Sequence, residues 1–335
     1  MSDFLDSVLL NKILAFLAAA VVQGIPLIYG STGEIITEKS GHLNLGIPGI
    51  MYMGGISGII GGYLYERYAV HPVGIVAVLV SLIFSLFGSA LMALIYSFLT
   101  VTLRANQNVT GLALTIFGVG VGNFFGGSLL KFFGESGSIY LAVTSAAYKT
   151  TVPGLSKIPV AGTLFFSYGF LAYLAVVLAI LASRFLNRSR AGLSLRAVGE
   201  SPATADAAGV NVTAYKYLAT LIGGMIAGLG GLYFVMDSTG GGWTNDGFGD
   251  KGWLAIAIVI FALWKPKNTL FCSFIFGALY ILCVYIPGLS APMKEVIKMM
   301  PYVVTVAVLI IISIRNKREN LPPASLGVSY FREDR

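Results

Sequence analysis

Charge is scarce in this sequence. Lys and Arg number 22 and Asp and Glu 15, together 11% of 335 residues, against 56% hydrophobic residues. Soluble domains carry about 25% charged residues, so these figures, with a mean hydropathy of +0.82, exclude that class and describe a polytopic membrane protein. Histidine occurs only at His42 and His71, and neither stands in a metal-ligand or triad spacing. Cysteine occurs only at Cys272 and Cys283 in one apolar run, and at about 1.5 Å of helix per residue they lie too far apart to bridge. No G-x-x-x-x-G-K-[ST] stretch is present, so this chain has no phosphate loop with which to hydrolyse ATP. The start, MSDFLDSVLL, has acids where a cleavable signal would be basic, so the first apolar run is expected to remain as a membrane helix. The net charge of +7 comes without a basic face interleaved with aromatics, which argues against nucleic acid and for charged cytoplasmic loops.

What is abundant is apolar sequence in spans. The pattern predicts an all-α fold, a polytopic transmembrane helical bundle in one domain over 1–335, with about nine spans. The first runs from Leu9 to Tyr29 and is followed by a polar turn, Ser31 to His42; the second runs from Leu43 to Tyr65. The third, Val73 to Leu103, is too long to stand upright and must tilt or extend past the membrane. Val109 to Leu130, Leu164 to Phe185 and Tyr217 to Met236 follow, then a seventh span ending at Trp264, an eighth reaching Ile286 and a last one stopping at Arg315. Over half of all Lys and Arg fall between Arg184 and Lys216, at Lys265 and Lys267, and in the tail 315–335, which places those segments in the cytoplasm and the N-terminus outside.

The second span is Gly-rich, with Gly46, Pro48, Gly49, Gly54, Gly55 and Gly58. Either its glycines pack tightly on a neighbouring helix, or Asn44 to Met53 form a broken helix lining an aqueous path, since non-helical backbone at membrane depth needs such cover. On the second reading Asn44, Gly46, Pro48, Gly49 and Met53 face the substrate. Asn108 and Thr110 at the start of the fourth span, and Asn123 within it, are further path candidates; Asn106 and Asn108 also suit helix capping. Lys149 and Lys157 stand in the outer stretch Lys131 to Gly162, and Trp243 and Trp253 suit an interfacial aromatic belt. Asp237, Asp246 and Asp250 lack calcium-loop spacing, and no metal site is expected.

The longest basic break, RAVGESPATADAAGVNV from Arg196 to Val212, carries helix punctuation. Ser201 and Pro202 suit the N-cap and first position, and Gly209 the stop, around the small residues Ala203 to Ala208. A short helix with small side chains lets another protein approach its backbone. This stretch resembles the coupling-helix segment of permeases of ABC importers, in the family that moves branched-chain amino acids, simple sugars and nucleosides. The same resemblance is carried, in order along nearly the whole chain, by GEIITEKSGHLNLGIPGIMYMGG, RANQNVTGLAL, Pro301-Tyr302 and PPASLGVSY. It departs at Pro48, where related nucleoside-type permeases commonly carry an acidic residue.

The resemblance implies a multi-pass permease subunit of a bacterial cell membrane, working by alternating access with a second permease, different or identical, an ABC ATPase subunit and an extracytoplasmic substrate-binding protein. The chain itself would be no enzyme and bind no cofactor; ATP and Mg would sit on the ATPase. The loop 192–212 would meet that ATPase through Arg196, Gly199, Glu200, Ser201, Pro202, Ala205, Asp206 and Gly209, while Lys149 and Lys157 would face the binding protein. The motif set looks most like the nucleoside branch, with ribose-type sugars as the alternative. A gradient-driven carrier is the rival of another class. It would need ionisable groups within the membrane, whereas Lys12, Glu34, Glu38 and Lys39 lie near the ends of the expected spans.

Overall fold

Membrane-length helices arise wherever the apolar runs were long. In this computed structural model, which describes residues 2–151, 158, 160–315 and 321–331, the spans are α1 (Ser2–Glu38), α2 (Ile47–Tyr68), α3 (Gly74–Ser97), α4 (Gln107–Phe132), α6 (Phe170–Arg188), α9 (Val212–Tyr233) and α11 (Pro266–Tyr285). These 7 are the helices long and apolar enough to cross a membrane among the described residues. Single π-helical turns, Phe98–Thr102 and Phe234–Ser238, prolong α3 and α9. Shorter helices fill the connections: α5 (Ala142–Tyr148), α7 (Arg190–Glu200), α8 (Pro202–Ala207), α10 (Lys251–Phe261), α12 (Ala291–Lys298) and α13 (Met300–Arg315).

The expectation of about nine spans is not met by nine full helices. The expected seventh is α10, whose 11 residues reach only about 16 Å. The expected ninth is α13, of 16 residues. The segment 239–250 before α10 is not a simple outer loop. It folds into the bundle, so that Trp243 packs on Gly122 and Gly126 of α4 and Gly252 lies against Pro48 of α2. Trp243, expected in an interfacial belt, is 8% exposed and edge-on to Tyr52.

Two further expectations are corrected near the start. Ser31 to His42 is not a polar turn: α1 continues unbroken to Glu38 and buries Glu34 and Glu38 completely or nearly so. The second span is not broken between Asn44 and Met53, because α2 is regular from Ile47 and only 39–46 are non-helical. Pro48 falls in the first helical turn, where a missing N–H costs nothing.

The glycines serve close packing instead. A Cβ on Gly49 would strike the Leu114 carbonyl of α4, and one on Gly54 would strike Gly228 of α9. Gly33 of α1 and Gly223 of α9 each sit against the other's carbonyl oxygen, while Gly24 of α1 meets Ser273 of α11. Membrane helices gain little from hydrophobic exclusion and associate through such backbone approach. The result is a bundle in which α1 packs on α9 and α11, and α2 on α3, α4 and α9.

We expect Gly33→Val to lower the thermal stability of the detergent-solubilised chain by about 3 kcal/mol, because the intruding side chain has only backbone to displace. Gly120→Ala, with open space around its Cβ, should leave the melting curve unchanged or slightly raised. Equal melting of both variants with the parent would remove close packing as the role of Gly33.

Candidate functional site

Three places hold the residues expected to act: the connection 39–46, the helix pair α7 and α8, and α4 with the segment before α10.

The connection 39–46 turns back beside α1 and has little regular structure of its own, so its backbone must find partners elsewhere. Leu43 N–H donates to Gln107 Oε1 at 2.8 Å, and Asn44 N–H to Glu34 Oε1 at 3.0 Å. Gly46 N–H donates to Asn44 Oδ1 at 2.8 Å, and the Leu45 carbonyl accepts from Thr115 Oγ1 at 2.8 Å. The Tyr96 hydroxyl donates to the Leu43 carbonyl. His42 is fully buried with Nδ1 2.9 Å from Thr220 Oγ1. Since that hydroxyl donates to the Lys216 carbonyl, it accepts from His42, which places the imidazole proton on Nδ1. Burial, with Lys216 nearby, pushes the His42 pKa down to about 3, so the ring stays neutral at cellular pH. Glu38, one turn beyond Glu34, accepts from Trp264 Nε1. Asn44, expected on the substrate path, is 0% exposed and serves to close this turn. Gly46, Pro48 and Gly49 are likewise interior packing positions, and Met53 is half-buried.

α8 forms where the punctuation placed it. Ser201 Oγ accepts from Thr204 N at 3.4 Å, Pro202 opens α8, and Gly209 ends it with φ 84°. α7 precedes it, capped by Ser189, whose Oγ accepts from Gly192 N at 2.9 Å. Of the residues expected to face a partner, Ala205 is 3% exposed and packs inward on Val198 and Val212. Gly199 is also interior, against the Lys39 carbonyl and Gly41 N. The exposed face of α8 consists of Ala203, Thr204, Ala207 and Ala208, with Glu200 and Gly209 at its ends. Ser201, Pro202 and Asp206 are half-buried, and Arg196 borders a groove with Lys39, Glu200 and Lys265. Sequence periodicity could not separate the two faces of a helix of 6 residues in which every second one is Ala.

The tail completes this region. Ser325 N–H donates to the Gly199 carbonyl at 3.0 Å and Gly327 N–H to the Gly41 carbonyl at 3.3 Å. The Tyr330 hydroxyl donates to Asp206 Oδ2 at 2.9 Å, and Arg104 stacks on the Phe331 ring at 4.5 Å. The tail thus ties α7 and α8 to the connection 39–46 and to the joint between α3 and α4. The tail motif pointed to this segment, but its contacts are with residues more than a hundred positions away, where local pattern carries no signal.

On α4 the residues divide. Asn106 caps the helix, accepting from Val109 N at 3.1 Å. Asn108 is exposed on an otherwise apolar face with Val109, Leu112, Ile116 and Phe117, whereas Thr110 is buried. Higher on α4, Asn123 makes a reciprocal pair with Asp246: its Nδ2 donates to Asp246 Oδ1 at 2.8 Å, and Asp246 N–H donates to Asn123 Oδ1 at 3.2 Å. Asp246 takes φ 54°, and with Thr244, Asn245 and Asp250 it is exposed. Lys149 is exposed near Gly240, and Lys157 lies outside the described residues. No group of three or more His, Cys, Asp or Glu suited to a metal occurs among the described residues.

Known proteins of similar sequence agree with this architecture. A family profile described as branched-chain amino acid transport system, permease component, matches residues 16–313. The nucleoside ABC transporter permease protein NupC of Lactococcus lactis is 31% identical over 96% of this chain and 98% of its own. The guanosine ABC transporter permease protein NupQ of Bacillus subtilis is 30% identical over 87% of this chain and 89% of its own. TsgC13 of Haloferax volcanii, named provisionally as a glucose ABC transporter permease, is 33% identical over 95% of this chain and 97% of its own. A permease of this kind is a transport component and not an enzyme, and it acts in a complex with an ATPase and a substrate-binding protein. The apolar spans and a profile covering most of the sequence make this multi-pass cell-membrane chain a member of the branched-chain amino acid transport system permease family, the membrane-spanning subunit of an ABC importer.

Proposed function

We propose that the chain imports a nucleoside. The observation that carries this cargo is that two relatives spanning most of its length, NupC and NupQ, are named for nucleosides and guanosine. A simple sugar is the second reading, favoured by the relative named for glucose. Both solutes are uncharged and rich in hydroxyl donors, which suits acceptors such as Asp246 and the amides Asn108, Asn123 and Asn245.

The substrate path runs along the polar edge of α4. The exposed carboxylate of Asp246 and the exposed amides Asn108 and Asn245, with half-buried Asn123, need water or a partner, and a second permease, identical or different, facing α4 would enclose them in an aqueous passage. Asn123 acts there by holding Asp246 at the passage wall. On the cytoplasmic side the exposed small residues Ala203, Thr204, Ala207 and Ala208 form the peg that enters the ATPase subunit, which carries ATP and Mg. ATP-driven movement of the peg passes through Gly199 and the tail to the connection 39–46, and so to α1, α2 and α4. The extracytoplasmic binding protein delivers the solute from the side of Lys149. A ligand shifts such an equilibrium only through differential affinity for the two states; ATP on one side and the loaded binding protein on the other supply it.

Ala207→Trp should abolish ATPase copurification in mild detergent while leaving the chain monodisperse. Ala205→Trp should instead unfold the cytoplasmic region, since its side chain points into the core of Val198 and Val212. Normal ATPase recovery with Ala207→Trp would remove α8 as the docking element.

Proteoliposomes holding the complex and its binding protein should take up labelled guanosine or uridine only with ATP inside, and Asn123→Leu should reduce that uptake roughly tenfold by releasing Asp246, with assembly intact. Uptake of glucose or ribose alone would reassign the cargo. Unaltered uptake by Asn123→Leu would take the pair out of the path.

A further inference from the structure

Next to the peg lies a cavity of about 380 Å³ that the transport cycle leaves without a role. It is bordered by the end of α3 and the joint after it (Thr100, Arg104), by the turn from α8 into α9 (Asp206, Val212, Thr213, Lys216) and by Tyr330 of the tail. Three observations make its wall cationic. Lys216 is only 3% exposed, lines the cavity, and has no ion pair or hydrogen bond through its ammonium group among the described residues. A buried ammonium without a counter-charge is costly, and an anion beside it removes that cost. The cavity also receives the first turn of α9, a helix of 22 residues. Asn211 caps Ala214 N there at 3.0 Å, leaving the Val212 and Thr213 N–H groups without acceptors among the described residues. Finally, Arg104 is held in the left-handed region at φ 58° with its guanidinium stacked on Phe331 and without a carboxylate partner among the described residues. Asp206, the acidic group of the wall, accepts from the Tyr330 hydroxyl and keeps its charge, so two cations and a helix start stand against one carboxylate.

We propose that this cavity binds a phosphate group, held by Lys216, Arg104 and the free N–H groups at the start of α9. Helix N-termini with flanking cations are made for oxyanions. The phosphate belongs either to a soluble phosphate compound of the cytoplasm or to a phospholipid of the inner leaflet, since the end of the α3 span forms part of the wall. Bound there, it joins the start of α9, the joint before α4 and the tail, three segments that border α8. The site is independent of the cargo, so its failure and the failure of the nucleoside reading are separate results.

The test is a thermal-shift titration of the full-length chain in detergent, with sodium phosphate in one arm and dioctanoyl phosphatidic acid in the other, against sodium chloride at matched ionic strength. We expect a saturable rise in melting temperature in at least one arm. The half-saturating concentration should increase roughly tenfold or more in Lys216→Met and in Arg104→Gln, and should not change in Arg190→Gln, an exposed cation away from the cavity. Saturation by inorganic phosphate assigns a soluble ligand, and saturation by the lipid alone assigns a headgroup. If Lys216→Met does not fold, Arg104→Gln decides. No saturable shift in either arm, an equal shift with chloride, or unchanged titration of the foldable variants overturns the proposal.

Discussion

A stretch of eight non-helical residues inside a membrane bundle has to be given every hydrogen bond it needs, and the arrangement of this chain turns on that requirement. Between α1 and α2 the backbone at 39–46 cannot satisfy itself, and its burial keeps water from doing so. Its backbone partners are Glu34 on α1, Tyr96 on α3, Gln107 and Thr115 on α4, and Gly327 in the tail, while Thr220 on α9 holds the His42 ring. Burying Glu34 is expensive in isolation. Here its Oε1 accepts the Asn44 N–H, so carboxylate and irregular backbone each meet part of the other's need.

The same stretch is also the place where the cytoplasmic helices touch the bundle. Gly199 of α7 is flush with the Lys39 carbonyl and Gly41 N, too close for a side chain, and the tail bridges the two by bonding to both Gly199 and Gly41. A displacement of α7 and α8 therefore acts on a segment held by four spans at once, and packed interiors respond to displacement by switching arrangement more readily than by stretching. The small side chains at Gly199 and Ala205 serve this inner contact; those at Ala203, Ala207 and Ala208 remain outside, available to a partner.

Much of this was legible in the sequence because the signals were local. Ser201, Pro202 and Gly209 punctuate α8 by backbone chemistry that needs no tertiary context, and of about nine expected spans seven are long apolar helices among the described residues. The losses occurred where a residue's meaning depends on a distant partner. Glu34 and Glu38 read as a polar turn because nothing nearby announces Trp264, 226 residues away from Glu38. Asn44 read as a substrate ligand, although its short amide closes its own turn onto Gly46. The glycines of α2 left two readings open, and contact with Gly228 and Leu114 decided for packing. Trp243 suited a lipid interface by composition alone; its position against Gly122 and Gly126 follows from the path of the backbone before α10.

That path constrains the outer half of the molecule in the way the connection 39–46 constrains the inner half. α10 has too few residues to cross alone, so the segment ahead of it must descend within protein cover, and the rings of Tyr52, Trp243, Phe234 and Phe248 supply the cover. Gly252 brings the start of α10 onto Pro48, at the start of α2. The proline packs there against glycine, while the exposed carboxylate nearest the amides of α4 is Asp246, fixed by Asn123 from a strained backbone position. The buried junction of two helix starts is thereby closed by apolar contact, and the polar pair beside it, Asn123 and Asp246, forms at the outer part of α4.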